Sequence, residues 1–229
     1  RWAADIAHRI RAGRIAPPED TAAHAVAWHR EADGGLLDEH TAGVELLNVV
    51  RPVVAVSVYL AFAAHALHRH PHWIRGLTAQ EPDDTPGPDR AELFAQEVRR
   101  LYPFFPLVAA RARHGMVLCG QRVDSGQRVL LDLYGINHDP RLWEAPEEFR
   151  PERFRDHPPG LYDFVPQGAG DPDVHHRCPG EPITTALITV VARRLAASDY
   201  TVPQQDMTVD MRRLPALPRS GCVIRVPPV

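Results

Sequence analysis

Phe164-Val-Pro-Gln-Gly-Ala-Gly-Asp-Pro-Asp-Val-His-His-Arg-Cys-Pro-Gly-Glu181 is the stretch that decides the fold. Pro166, Gly168, Gly170, Pro172, Pro179 and Gly180 punctuate it, and no helical or strand period survives, so it reads as a loop. An apolar helical period follows, with Ile183, Leu187, Val190, Val191 and Leu195 on one face. Cys178 therefore stands just before a helix N-terminus. Free backbone N–H groups and the positive end of the helix dipole favour a thiolate at such a place. Glycines before and after the cysteine let backbone approach something flat. A thiolate presented in this way is a metal ligand or a nucleophile.

Four readings follow. An isolated cysteine at a helix start is first of all a buried structural residue. A zinc site would use His175, His176 and Cys178, but no second ligand pair stands at the usual spacing. A nucleophile needs a base and an orienting group, which the spacing does not single out. The fourth reading is the axial ligand of a haem-thiolate iron.

The remainder of the chain sets bounds. Its 229 residues suffice for one sizeable core or two small ones. A formal net charge of −3 gives no electrostatic footprint for nucleic acid. Cys119, Cys178 and Cys222 do not form a disulfide framework, which fits a reducing cytosol. The chain opens in mid-pattern with Arg1-Trp-Ala-Ala-Asp-Ile and without Met, so an N-terminal part is expected to be absent.

Residues 2–12 read as the end of a helix, closed by Gly13, and Asp20 or Thr21 caps a second helix through about Arg30. The longest element runs from about Asp38 to His70. Its β-branched centre could be strand, but strands are usually shorter than about ten residues, so length decides for helix. Its middle is apolar almost all round and is expected to be buried. It is not expected to span a membrane, because Arg51 interrupts it and leaves less than the roughly 18 apolar residues required. Pro52 lacks an N–H and predicts a kink. A buried Arg51 needs a partner: either a structural ion pair or, more sharply, a bound carboxylate that its fork matches.

Pro82–Pro88 reads as a polar loop, and residues 89–101 as an amphipathic helix with Glu97 and Arg100 on one face. Strands are predicted at 108–113, 116–118, 128–133, 200–203 and 222–226, with irregular connections at 137–140 and 147–154.

Several of these segments, in this order, closely resemble cytochrome P450. Phe164 opens the cysteine loop and His176-x-Cys178-x-Gly180 closes it; Glu97-x-x-Arg100 and Pro151-Glu-Arg-Phe154 precede it. The resemblance implies a mainly α fold with small β-sheets, residues 1–229 being the C-terminal portion of one haem-thiolate domain. It implies haem b on the Cys178 thiolate, His176 and Arg111 reaching the propionates, and a structural triad of Glu97, Arg100 and Arg153. Ordinary members carry an acid–alcohol pair on the long helix, where this chain has Arg51-Pro52. That pattern, with Pro-Gln-Gly-Ala-Gly and His-Arg-Cys-Pro-Gly-Glu, resembles the bacterial fatty-acid peroxygenase branch. Ala169 stands where Gly is expected, and Pro182 lies in the first turn of the next helix, where proline is tolerated.

That branch hydroxylates long-chain fatty acids at Cα or Cβ with hydrogen peroxide, or decarboxylates them, without a redox partner. Arg51 and Pro52 are then the catalytic pair, Arg51 holding the substrate carboxylate that serves as acid–base. Two other readings stand beside it: a reductase-dependent monooxygenase, and a truncated haem-binding fragment without turnover.

Overall fold

The structure, a computed structural model, describes residues 1–78, 89–156 and 158–227. The chain divides into two compact units, Arg1–Val56 and Ser57–Val229. The predicted loop at 82–88 lies outside the described residues.

The first unit contains α1 (Trp2–Arg11), α2 (Ala22–Trp28) and the start of α3 (Glu39–Arg69). Thr21 caps α2 by accepting from the His24 amide, and the helix ends at Trp28, two residues before the expected boundary. Ala3, Ala7, Ala42 and Leu46 form the core, with Ile6, Ala23, Val26 and Leu37 against it. Small residues bring α1 and α3 close together. A Cβ on Gly43 would stand 2.7 Å from the Ala4 nitrogen, so backbone meets backbone there.

The second unit carries the remainder of α3, then α4 (His72–Thr78), α5 (Arg90–Leu101), α6 (Leu133–Asn137), α7 (Arg153–Asp156) and α8 (Glu181–Ala196). Asp89 caps α5 by accepting from the amides of Ala91 and Glu92. The short helices α6 and α7 occupy parts of the two connections expected to be irregular.

Among the described residues, three two-stranded antiparallel sheets complete the unit. β1 (Leu107–Arg111) pairs with β4 (Arg128–Asp132), and β2 (Met116–Leu118) with β3 (Gln121–Val123). The β2–β3 turn is Cys119-Gly120, both with positive φ, the geometry a two-residue hairpin loop requires. β3 escaped the sequence reading because Cys-Gly is not a usual turn pair. β5 (Val209–Asp210) pairs with β6 (Leu217–Pro218), also unforeseen. The predicted strands at 200–203 and 222–226 reduce to one bridge, Thr201 to Arg225, because pairing does not extend to their neighbours.

α3 is helical through Pro52, so length was the right arbiter. Its expected burial is corrected. Val53 and Val54 are 68% and 64% exposed, and Arg51 is exposed as well. Apolar composition states that a face gains from cover; it does not supply the cover. The first unit buries α3 at Ala42 and Leu46, and the second from Tyr59 onward. By length and composition α3 is also apolar enough to cross a membrane, so the sequence argument from a short apolar run does not hold. α8 makes the same point. It buries Thr184, Thr185, Ile188 and Ala192 and leaves Ile183, Leu187 and Val190 outward.

At the end of α3, His65 is buried between Tyr102 and the Met207 carbonyl. The carbonyl can only accept, so Nε2 carries the proton and Nδ1 accepts from the Tyr102 hydroxyl. Burial pushes the ring's pKa below the ordinary histidine value. Burial does the same at His70 and His138. Below about pH 6.5 the unfolded chain therefore binds more protons than the folded one. Stability should be fully present above that pH and should be lost as pH falls toward the lowered folded values. Denaturation midpoints measured from about pH 7.5 to 5 should fall with pH, and His65→Gln should flatten part of that slope.

Candidate functional site

The cysteine loop is fixed at its opening by the core. Phe164 is fully buried and packs with Trp143, Phe154 and Leu93. Such burial contributes about 1.5–3 kcal/mol per large side chain. The Trp143 indole N–H donates to the Asp163 carbonyl at 3.2 Å, and the Val165 amide donates to Asn137 Oδ1 at 2.9 Å. The buried Tyr59 hydroxyl, from α3, donates to the Pro166 carbonyl at 3.4 Å. Burial pushes that phenol far above its usual range.

Beyond this anchor the chain folds tightly back on itself. Gly168 has φ +105°, and a Cβ there would come within about 2.4 Å of the His176 carbonyl oxygen. Only glycine fits. Ala169 needs no positive φ, so its extra methyl is tolerated. The Cys178 amide donates to the Gln167 carbonyl at 3.0 Å. Cys178 is a free, half-buried thiol, and α8 starts three residues later with Pro182 in its first turn. A Cβ on Gly180 would stand 3.5 Å from the sulfur, so glycine keeps one side of it clear.

Behind the loop lies a buried ion-pair group. Arg100 donates from Nε and Nη2 to the two oxygens of Glu97, both at 2.8 Å. Arg153 Nε donates to Glu97 Oε1 at 3.3 Å. All three side chains are buried. Two guanidinium groups against one carboxylate leave donors over. These reach the carbonyls of Asn137, Glu144, Ala145 and Glu148, while the Arg150 amide donates to Glu97.

Sequence reasoning passed over Arg99, the neighbour of Arg100. It is buried and donates to Gln167 Oε1 at 3.1 Å, Gln96 Oε1 at 2.6 Å and Thr185 Oγ1 at 3.2 Å. Its Nη2 pairs with Glu181 Oε2 at 2.9 Å, in a geometry that is an ion pair without a hydrogen bond. Arg177 donates to the same oxygen at 3.0 Å. The sequence signals were the tandem arginines in Glu97-Val-Arg-Arg100 and the i, i+4 spacing of Arg177 and Glu181.

The other expected site residues lie elsewhere. His176 is exposed on the loop. Arg111 ends β1, and its Nη1 donates to the Gly126 carbonyl at 2.9 Å. Arg51 and Pro52 belong to the first unit. Arg51 is exposed and has no ion-pair partner among the described residues; Glu45 instead accepts from Asn48 at 3.5 Å. The premise of a buried Arg51 is therefore corrected. Among the described residues no three His, Cys, Asp or Glu side chains converge on a metal position.

The family description Cytochrome P450 matches residues 92–206, half of the chain. The chain belongs to the cytochrome P450 family. Cytochrome P450 71D18 from Mentha gracilis is 33% identical over 141 residues, 58% of this chain and 28% of its own. Putative cytochrome P450 137 from Mycobacterium tuberculosis is 28% identical over 225 residues, 97% of this P450 chain and 46% of its own. Among solved structures, cytochrome P450SP alpha (CYP152B1) in complex with (R)-ibuprophen is 50% identical with a TM-score of 0.82, covering 98% of this chain and 54% of the other. Cytochrome P450EX alpha (CYP152N1) with myristic acid is 39% identical with a TM-score of 0.79, covering 96% and 52%. The resemblance to the fatty-acid peroxygenase branch holds. This P450 chain spans about half the length of the two CYP152 structures and of P450 137. α3 is an element of that fold and not a membrane span.

The residues present fit haem b. A free thiol presented at a helix start, with only glycine beside it at position 180, is a donor that would suit a haem iron. The buried triad reaches the start of the loop through Asn137, whose carbonyl accepts from Arg100 and whose Oδ1 accepts the Val165 amide. Removing the carboxylate strands two buried cations, and breaking such a group costs about 3–5 kcal/mol. Glu97→Gln should lower stability by about that much in chemical denaturation, whereas Glu144→Gln, which removes an exposed surface pair with Arg150, should leave the denaturation midpoint close to wild type.

Proposed function

We propose that this P450 chain is the cysteine-bearing part of a peroxygenase that uses hydrogen peroxide to hydroxylate long-chain fatty acids at Cα or Cβ, with decarboxylation as a variant outcome. The observation that carries the reading is 50% identity with CYP152B1 across 98% of the chain, which spans the Arg51-Pro52 segment. Two relatives hold carboxylic acids in their solved structures, (R)-ibuprophen and myristic acid. A cytoplasmic location fits the three free cysteines.

When bound, haem supplies the redox chemistry that splits peroxide, and an axial thiolate favours that O–O cleavage. The chain supplies the remainder. Cys178 would hold the haem iron through its thiolate, and His176 and Arg111 would hold the propionates. Arg51 is the carboxylate anchor, because its exposed planar fork matches a carboxylate bidentately. Pro52 has no N–H, so the Asn48 carbonyl lacks its usual intrahelical donor close to the anchor. A carboxylate held there can accept a proton from peroxide on one oxygen and return it to the departing oxygen, so no acid–alcohol pair is required. Cα and Cβ are the carbons next to the anchored carboxylate, and a separate redox partner has no role.

Fatty-acid turnover by the full-length protein should need hydrogen peroxide alone. A protein inert with peroxide but active with a reductase and a nicotinamide cofactor would be a monooxygenase instead. Arg51→Ala should weaken fatty-acid binding and peroxide-driven turnover together, by about tenfold or more, as expected for loss of a charged hydrogen bond. Arg51→Lys should restore only part of both. A short carboxylic acid should activate peroxide use toward non-acid substrates in the wild type and not in Arg51→Ala. Equal activation in both proteins would place the carboxylate elsewhere.

A further inference from the structure

Arg99 is not one of the triad, yet it is as deeply buried as the triad itself. Its side chain is 2% exposed, and its contacts converge on the two ends of the cysteine loop. Toward the start of the loop, Nε holds the Gln167 side chain, and Arg99 Cζ lies 5.1 Å from the centre of the Phe164 ring. Toward the end, Nη1 and Nη2 meet Thr185 and Glu181 in the first turns of α8. Gln167 is the joint. Its side chain is held by Arg99 and reaches Thr184 Oγ1 at 3.4 Å, and its carbonyl accepts the Cys178 amide at 3.0 Å. One guanidinium thus connects α5, the start of the loop and α8, with a single residue between it and the backbone of Cys178.

Charge adds a second effect. Arg99 and Arg177 both bear on the one Glu181 carboxylate, whose Oε1 is buried without a hydrogen-bond partner. The three side chains together carry a surplus of one positive charge, mostly out of water at the start of α8, whose first residue donates its amide to the Cys178 carbonyl. Charge and hydrogen bonding around the ligand are among the means by which a protein sets the potential of a thiolate-bound iron.

We propose that Arg99 is a positioning residue for the Cys178 thiolate, acting through Gln167 on the geometry of the ligand and through its buried charge on the potential of the haem iron. The proposal rests on the haem-thiolate reading of the site and requires neither peroxide nor fatty acid.

The test uses the full-length, haem-loaded protein and two readouts: hydrogen exchange at the Cys178 amide, and the ferric–ferrous midpoint potential. Arg99→Gln should speed exchange at that amide by about tenfold or more, since a hydrogen bond to a charged group has been lost. It should also lower the midpoint, because a buried positive charge no longer favours the reduced state. Arg99→Lys keeps the charge and loses the fork, so the midpoint should return toward wild type while exchange stays fast. Unchanged exchange and an unchanged midpoint in folded, haem-loaded Arg99→Gln would overturn the proposal. Should that variant fail to load haem, Gln167→Leu removes the joint while leaving Arg99 its contacts with Glu181 and Thr185. Fast exchange at Cys178 in Gln167→Leu supports the relay, and unchanged exchange overturns it. Failure of the peroxygenase reading is separately visible: a wild type with the Soret band of a thiolate-bound haem, yet inert with peroxide, rejects that reading and leaves this one standing.

Discussion

The fold of the second unit depends on the solvation of one carboxylate. Glu97 has been taken wholly out of water, and every oxygen lone pair it has must be met by protein. Arg100, Arg153 and the Arg150 amide meet them. The two guanidinium groups then demand carbonyls of their own, which they find in the segment from Asn137 to Glu148. Satisfying one charge thereby specifies the path of an irregular segment far from it in sequence. No helical or strand period could set that path. Trp143, within that segment, packs with Phe154 and Phe164, so the start of the cysteine loop inherits its position from the same group.

What was legible in the sequence follows from this. The long helix, α5, the Cys178 loop and the start of α8 were all visible, because each is announced by a local signal: length, amphipathic period, glycine and proline spacing, a cap. Glu97, Arg100 and Arg153 could be singled out only as matches to family motifs; nothing local says that a Glu-x-x-Arg pair is buried. The β2–β3 hairpin was half seen, because Cys119-Gly120 adopts the left-handed pair of conformations without the usual turn residues. Arg99 was missed for a simpler reason. Beside Arg100 it reads as one more solvated charge, and its partners lie 68 and 86 residues away in the chain.

The burial of α3 shows where a composition argument stops. An element that is apolar on all sides needs cover on all sides, but sequence says nothing about where that cover comes from. Here the described residues meet only its two ends, so Val53, Val54 and Arg51 face outward. α8 repeats the pattern with its Ile183, Leu187 and Val190 stripe. On both helices small or hydroxyl side chains mark the closely packed contacts. Gly43 lies against Ala4 in one unit; Thr184, Thr185 and Ala192 are the buried face in the other. Close approach selects for small side chains as strongly as burial selects for large ones.

Two adjacent arginines with different tasks leave α5 no freedom of roll. Successive side chains on an α-helix point about 100° apart. Arg100 is keyed to Glu97 and the Asn137 carbonyl, Arg99 to Gln167 and Glu181. A turn of the helix that eased one lock would strain the other. α5 therefore behaves like a keyed shaft, and the cysteine loop and the triad segment take the same angular reference from it.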